Sequence, residues 1–211
     1  MKKYNHLLYK RGFLLTDLNK IDIENSNTSE VISSWNEIRF DKYKLLFETS
    51  LNCSKHSIEN STVIILGLVL NPYKNEFDIN KIAKSLCEKF IYDENNFLDE
   101  LDELSGRFTI ITNIENESTE VYGDACGTRT IYYDMENSHT LVSSHSFLIS
   151  EIMGYKTSNV AKEVLANKMF KGRKYLPGLL SPFDEIRPLT PNTSYNLENR
   201  NVTRFFPRRE N

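Results

Sequence analysis

Between Leu104 and Tyr133, two β-type runs, Arg107–Thr112 and Thr119–Tyr122, flank the polar turn Asn113–Ser118. The spacing predicts an antiparallel hairpin. A third run, Thr130–Tyr133, follows the tight Asp124–Arg129 loop. Connections this short predict antiparallel pairing of all three runs, because a parallel partner needs a longer crossover. Thr62–Leu70, TVIILGLVL, is a near-continuous apolar run of strand length that Asn71-Pro72 ends. Such a run marks a strand buried on both faces, with cover on each.

Helical spacing is clearest in Asp78–Tyr92, where Ile79, Ile82, Ala83, Leu86, Cys87, Phe90 and Ile91 share one face. Asp78 stands where a carboxylate caps the first turn. Asn96–Leu104 continues with Phe97, Leu98, Leu101 and Leu104. Further along, Ser144 is placed to cap a helix running to Gly154, and Val160–Phe170 is another helix candidate.

Elsewhere the pattern predicts strands over Tyr4–Thr16 (with Gly12 as a bulge or close-approach point), Trp35–Glu48 and Thr140–Ser143. Ser194–Leu197 and Val202–Phe206 read as a last hairpin. The polar stretches Asp17–Ser34 and Ser50–Ser61 read as loops. Tyr175–Pro191 holds four of the chain's six prolines and reads as an extended crossing segment. With no internal repeat and no strong linker, residues 1–211 are expected to form one α+β domain.

Composition narrows the function classes. The chain has 211 residues and a net charge of −3, which leaves no basic footprint for nucleic acid. No apolar run is long enough to span a bilayer, and no secretory signal pattern follows the N-terminal lysines. Three scattered cysteines point to reduced thiols and a cytoplasmic setting, and no pair of them has metal-ligand spacing.

As bare chemistry the residues are sparse. His145, in Ser-Ser-His-Ser, invites a serine–histidine reading, but sequence neighbours seldom face each other as such a pair requires. A helix-start role is preferred. Cys126 shares a tight loop with Asp124, Gly127, Thr128 and Arg129, and a nearby cation lowers a thiol pKa. A packing role for Cys126 and a buried Arg129–Asp124 pair that fixes the turn are the preferred readings. Cys87 reads as core.

Four motifs then combine. Leu104-Ser-Gly-Arg-Phe, Asp124-Ala-Cys-Gly-Thr-Arg-Thr-Ile-Tyr-Tyr, Val142-Ser-Ser, and Ile186-Arg-Pro-Leu-Thr-Pro-Asn-Thr with Arg204-Phe-Phe resemble, in order and spacing, the glutaminase half of asparagine synthetases. The resemblance covers most of Thr62–Phe206 and only loosely the first sixty residues. It implies a class II glutamine amidotransferase domain with an N-terminal-nucleophile hydrolase fold: a four-layer αββα sandwich of two antiparallel sheets.

The chain departs from that family where the chemistry lies. Active members use a cysteine at the mature N-terminus, whose own α-amine is the base. Here position 2 is Lys2, and the first cysteine is Cys53. The family's carboxylate-holding arginine has no counterpart between Arg39 and Arg107. Its oxyanion asparagine–glycine pair falls on Leu66-Gly67-Leu68, where leucine has no donor to offer. Loss of one such donor costs an enzyme on the order of 3 kcal/mol of transition-state stabilisation. Asp78 matches an acidic residue that contacts the substrate amine in active members, and equally a helix cap.

The resemblance therefore implies a degenerate pocket at Leu66, Gly67, Leu68 and Asp78, with no catalytic residue and no metal site. It also implies a structural loop at Asp124, Cys126, Gly127 and Arg129. A scaffold beside an ATP-dependent synthetase half, as in β-lactam synthetases and lasso-peptide cyclases, is the leading expectation. No serine-glycine-glycine-x-aspartate-serine phosphate loop occurs here, so ATP and Mg²⁺ are expected only on a partner synthetase domain or subunit, with self-association a further option. The alternatives are a stand-alone module binding a small ligand or peptide, and a hydrolase with a displaced cysteine nucleophile, Cys126 foremost.

Overall fold

A computed structural model describes residues 7–136, 139–173 and 176–208. In chain order the first elements are β1 (Phe13–Thr16), α1 (Ser26–Ser33), β2 (Asn36–Phe40), β3 (Tyr43–Phe47), β4 (Cys53–Ile58) and β5 (Ser61–Leu70). Next come α2 (Ile79–Tyr92), α3 (Glu94–Asp102), β6 (Ser105–Ile114), β7 (Ser118–Gly123), β8 (Tyr132–Asp134) and β9 (Leu141–Ser143). The last are α4 (Ser146–Met153), α5 (Asn159–Ala166), α6 (Lys168–Arg173), β10 (Ile186–Pro188), β11 (Thr193–Asn196) and β12 (Val202–Arg204). They form two compact units, each assembled from two stretches of chain.

The first unit combines Met1–Ser50 with Thr130–Pro188. Its antiparallel sheet runs β10-β8-β9-β1-β3-β2. β1 is central, paired with β3 (Phe13 opposite Phe47) and with β9 (Leu14 opposite Ser143). All four of its residues are buried, as a strand between two neighbours and covered on both faces requires. Leu14, Leu46, Leu141, Trp35, Ile32, Leu148, Ile149 and Phe183 belong to one core cluster, joining the sheet to α1 and α4.

The second unit combines Leu51–Arg129 with Leu189–Asn211. Its antiparallel sheet runs β12-β11-β7-β6-β5-β4. Val63, Ile65 and Val69 of β5 face Ile82, Leu86, Phe97 and Leu101 of α2 and α3. Ile64 and Leu66 alternate to the opposite face and are also fully buried, so β5 is covered on both sides. Phe97, Tyr122 and Phe205 stack edge to face at centroid distances of 5.3 and 5.5 Å, tying α3, β7 and the C-terminal segment together.

Several expectations hold. β5 and α2 fall where the pattern places them, and Asp78 caps α2 by accepting the Asn80 N–H at 2.8 Å. β6 and β7 form the predicted hairpin, as do β11 and β12. α4 ends at Gly154, whose φ of +72° suits glycine.

Other expectations are corrected. The third run of the 104–133 stretch does not join its hairpin. β8 pairs with β9 and β10, because the free edge of β7 is taken by β11. Tyr4–Thr16 contributes only Phe13–Thr16 as strand; Gly12 turns back to donate to the Tyr9 carbonyl at 2.8 Å, and residues 4–6 lie outside the described residues. The polar stretch 17–34 contains α1, capped by Asn25 and buried only through Thr28 and Ile32. Trp35–Glu48 is a hairpin, β2–β3, and the supposed loop 50–61 contains the edge strand β4. α3 begins two residues earlier than expected. Val160–Phe170 splits into α5 and α6, and the extended segment before Pro191 includes β10, with Tyr175 outside the described residues. His145, not Ser144, is the N-cap of α4, in keeping with its preferred helix-start role.

Candidate functional site

Gly67 is the geometric centre of the candidate pocket. It lies seven residues into β5 with φ +111°, a region glycine tolerates and side chains do not. A Cβ there would stand 2.3 Å from the Arg107 carbonyl oxygen, so the facing β6 backbone approaches too closely for any other residue. The Gly67 N–H donates to the Asn52 carbonyl at 2.8 Å. The donor that the family resemblance assigns to an oxyanion is therefore already engaged.

Its neighbours divide. Leu66 is fully buried, while Leu68 keeps 61% of its surface exposed. Thr109, opposite Leu66 in register, buries a hydroxyl that has no hydrogen-bond partner among the described residues. Asp78 is exposed at the start of α2 and is used as its cap. Of the four pocket candidates, Leu66, Gly67 and Leu68 are contiguous along β5, and Asp78 belongs to the helix terminus.

The Asp124–Arg129 loop joins this site. Asp124 is almost fully buried, and its Oδ1 accepts the N–H groups of Cys126 at 3.2 Å and Thr128 at 2.8 Å, and the Thr128 hydroxyl at 3.0 Å. Its Oδ2 accepts the Arg129 N–H at 2.8 Å. The carboxylate thus fixes the turn through backbone amides, that of Arg129 among them. The Arg129 guanidinium lies against Gly67, with Nε 3.1 Å and Nη2 3.2 Å from the point a Cβ would occupy. Gly127, at φ +60°, lets the loop pass Pro191, whose Cγ would be 2.8 Å from a Cβ. Sequence reasoning found both halves of this arrangement but not their meeting. Nothing in local pattern tells that a loop arginine will rest on a strand glycine 62 positions earlier.

Each thiol is accounted for. Cys126 is exposed on the loop, and Cys87 is buried in the α2 core, where desolvation pushes its thiol up. Cys53 is the residue that sequence reasoning missed. It sits opposite Leu66 in the β4–β5 ladder, next to the carbonyl that receives the Gly67 N–H. Burial pushes its pKa up to about 12. At neutral pH the thiolate fraction is then on the order of one in 10⁵, so the sulfur is not an activated nucleophile. Among the described residues, no cluster of three or more His, Cys, Asp or Glu side chains is placed to hold a metal ion.

No protein-family model matches the chain, and no curated protein does. Solved structures do. Glutamine phosphoribosylpyrophosphate (PRPP) amidotransferase from B. subtilis, complexed with ADP and GMP, aligns with a TM-score of 0.50 and 13% identity. The alignment covers 97% of this chain and 46% of that one, so the chain spans about half the length of the protein it matches. A second structure, an allosteric regulatory enzyme of purine biosynthesis, aligns with a TM-score of 0.49 and 12% identity, over 97% of this chain and 45% of that one. The likeness to the B. subtilis enzyme shows the fold alone: α+β, two antiparallel sheets with their helices, N-terminal-nucleophile hydrolase-like.

Proposed function

We propose that the chain is a non-catalytic glutaminase-like domain or subunit of an ATP-dependent, amide-forming enzyme of the asparagine synthetase, β-lactam synthetase and lasso-peptide cyclase type. In this reading it serves as scaffold for a synthetase half that carries ATP and Mg²⁺. The observation that carries it is the commitment of the Gly67 N–H to Asn52. An oxyanion hole works because its donors are aimed at charge that develops in the transition state. A donor held at 2.8 Å by a backbone carbonyl contributes nothing new at that moment. The protonated Cys53 beside it supports the same reading, since covalent catalysis needs a nucleophile that a base or a lowered pKa has activated.

The test is incubation with glutamine and, separately, with a thiol-directed glutamine analogue. The expected result is no ammonia release above buffer and no modification by mass spectrometry. Glutamine-dependent ammonia release, with labelling of Cys53 or Cys126 that glutamine protects, overturns the non-catalytic part. Co-expression with an adenylating synthetase subunit tests the scaffold part. The expected outcome is a stable complex whose amide synthesis draws on free ammonia; a synthetase fully active and stable without this chain refutes it.

A further inference from the structure

The two sheets end at β10, β2, β4 and β12. An outermost strand leaves main-chain groups unpaired on its far side, and a second chain adds to it unless the sequence prevents it. β10 carries Pro188, which lacks an N–H. β4 carries Lys55 and His56 with no acid, and β12 carries Arg204 with no acid, so two copies of either bring no opposite charges together. Of these four strands, only β2 (Asn36–Phe40) carries both an acid and a base.

Strand register fixes which groups of β2 are free. In an antiparallel ladder bonded and unbonded pairs alternate, so each residue directs both of its main-chain groups to one side. The Glu48 N–H donates to the Gly12 carbonyl at 2.9 Å. By that alternation Leu46 and Lys44 of β3 bond to β1, while Phe47, Leu45 and Tyr43 bond to Asn36, Ile38 and Phe40 of β2. Glu37 and Arg39 therefore turn their N–H and C=O groups to the outer side, where no strand among the described residues pairs with them. Their side chains share one face, linked by an ion pair at 2.6 Å, and keep 39% and 65% of their surface uncovered.

We propose that β2 is the docking edge for a second copy of this chain, the two strands pairing antiparallel with the two-fold axis at Ile38. In that register Glu37 of each copy stands opposite Arg39 of the other. Each such pair exchanges two main-chain hydrogen bonds, which satisfies all the outward groups of both residues. The four charges alternate in sign around the axis, and opposite charges across strands favour pairing. On the other face Ile38 meets its own copy at the close, unbonded position. An acid and a base flanking an apolar centre are complementary to themselves under a two-fold, as a closed dimer requires. The edge is separate from the Gly67 pocket, and the inference does not rest on the scaffold reading.

Sedimentation equilibrium of the full chain tests it. A five-residue edge is a small interface, so a reversible dimer with a micromolar dissociation constant is expected. Glu37→Arg and Arg39→Glu each set like charges opposite one another and are expected to weaken the dimer at least about tenfold. The exchanged double variant restores opposite charges and is expected to return to within about threefold of the parent. Arg39→Pro removes an N–H that the monomer does not use, and is expected to abolish association while the circular dichroism spectrum stays that of the parent. In a Cys126→Ser background, mild oxidation is expected to cross-link Ile38→Cys, whose sulfurs meet at the axis. Asn36→Cys, whose copies lie roughly 13 Å apart in this register, is expected to stay uncross-linked. A monomer at every concentration up to about 1 mM overturns the proposal. So does a dimer that the single charge variants or Arg39→Pro leave intact. A double variant no tighter than the singles overturns the register at Ile38.

Discussion

The amide of Gly67 donates to the carbonyl of Asn52 at 2.8 Å, and the opposite side of the same glycine lies against Arg107 and Arg129. Gly67→Ala forces a side chain into φ +111° and puts its Cβ 2.3 Å from a carbonyl oxygen. The expected loss is about 2–4 kcal/mol of stability. Urea denaturation followed by circular dichroism measures it. A variant within about 0.5 kcal/mol of the parent contradicts the described backbone.

Asp124 gathers three N–H groups and one hydroxyl onto a single buried carboxylate. Asp124→Ala leaves those donors unsatisfied and is expected to cost about 3 kcal/mol or more. Asp124→Asn turns one acceptor into an NH₂ group facing N–H donors, and recovers only part of the loss. Equal stability of the Ala and Asn variants shows that the amide bonds are not what holds the turn.

Glu48 supplies a pH signature. Burial opposes its charge, but hydrogen bonds from the Ser50 hydroxyl, the Lys10 ammonium and the Arg11 and Ser50 N–H groups outweigh burial and hold its pKa at about 2, against an ordinary 4.5. A carboxyl depressed on folding contributes stability above its unfolded pKa and loses it as pH falls through the folded one. The contribution, on the order of 2 kcal/mol, is therefore full above about pH 4.5 and gone near pH 2. Glu48→Gln is expected to lower stability at pH 7 and to flatten the acid limb in that window. An unchanged acid limb in the variant removes Glu48 as a cause.

The thiols separate by reactivity. Cys126 is exposed, Cys53 is half-buried with its pKa raised to about 12, and Cys87 is fully buried. Native protein treated with a thiol reagent at pH 7.5 (a few tenths of a millimolar) is expected to show one fast site, and all three only after unfolding. Cys126→Ser is expected to abolish the fast phase. A fast phase that persists in that variant points to an activated Cys53 and counts against the non-catalytic reading.

Much of the fold is legible in the sequence, and its limits have physical causes. α2 and β5 announce themselves because burial on one helix face, or on both strand faces, writes a dense apolar pattern. β4 does not: as an edge strand its alternation is Cys-Ser-Lys-His-Ser-Ile, with only Ser54 fully buried, so it looks like a loop. α1 is missed for a similar reason, since it buries only Thr28 and Ile32, although Asn25 at its cap is a readable signal. The misassigned pairing of β8 is different in kind. Local spacing favours the nearest partner, and only Ile186–Pro188, over fifty residues later, reveals the edge that β8 joins. At the candidate site, Gly67 is visible in the letters. The bond to Asn52, the position of Cys53 and the reach of Arg129 are not, because each depends on backbone contacts that no periodicity encodes.

The interleaving of the two units governs how the polypeptide is completed during synthesis. β1 leaves the ribosome well before its partner β9, so one of its edges stays open until Leu141–Ser143 has emerged. The outer edge of β7 waits longer still, for Ser194–Asn196. A nascent chain halted before these segments therefore presents two unsealed sheet borders at once, and both are closed only by strands far downstream of them.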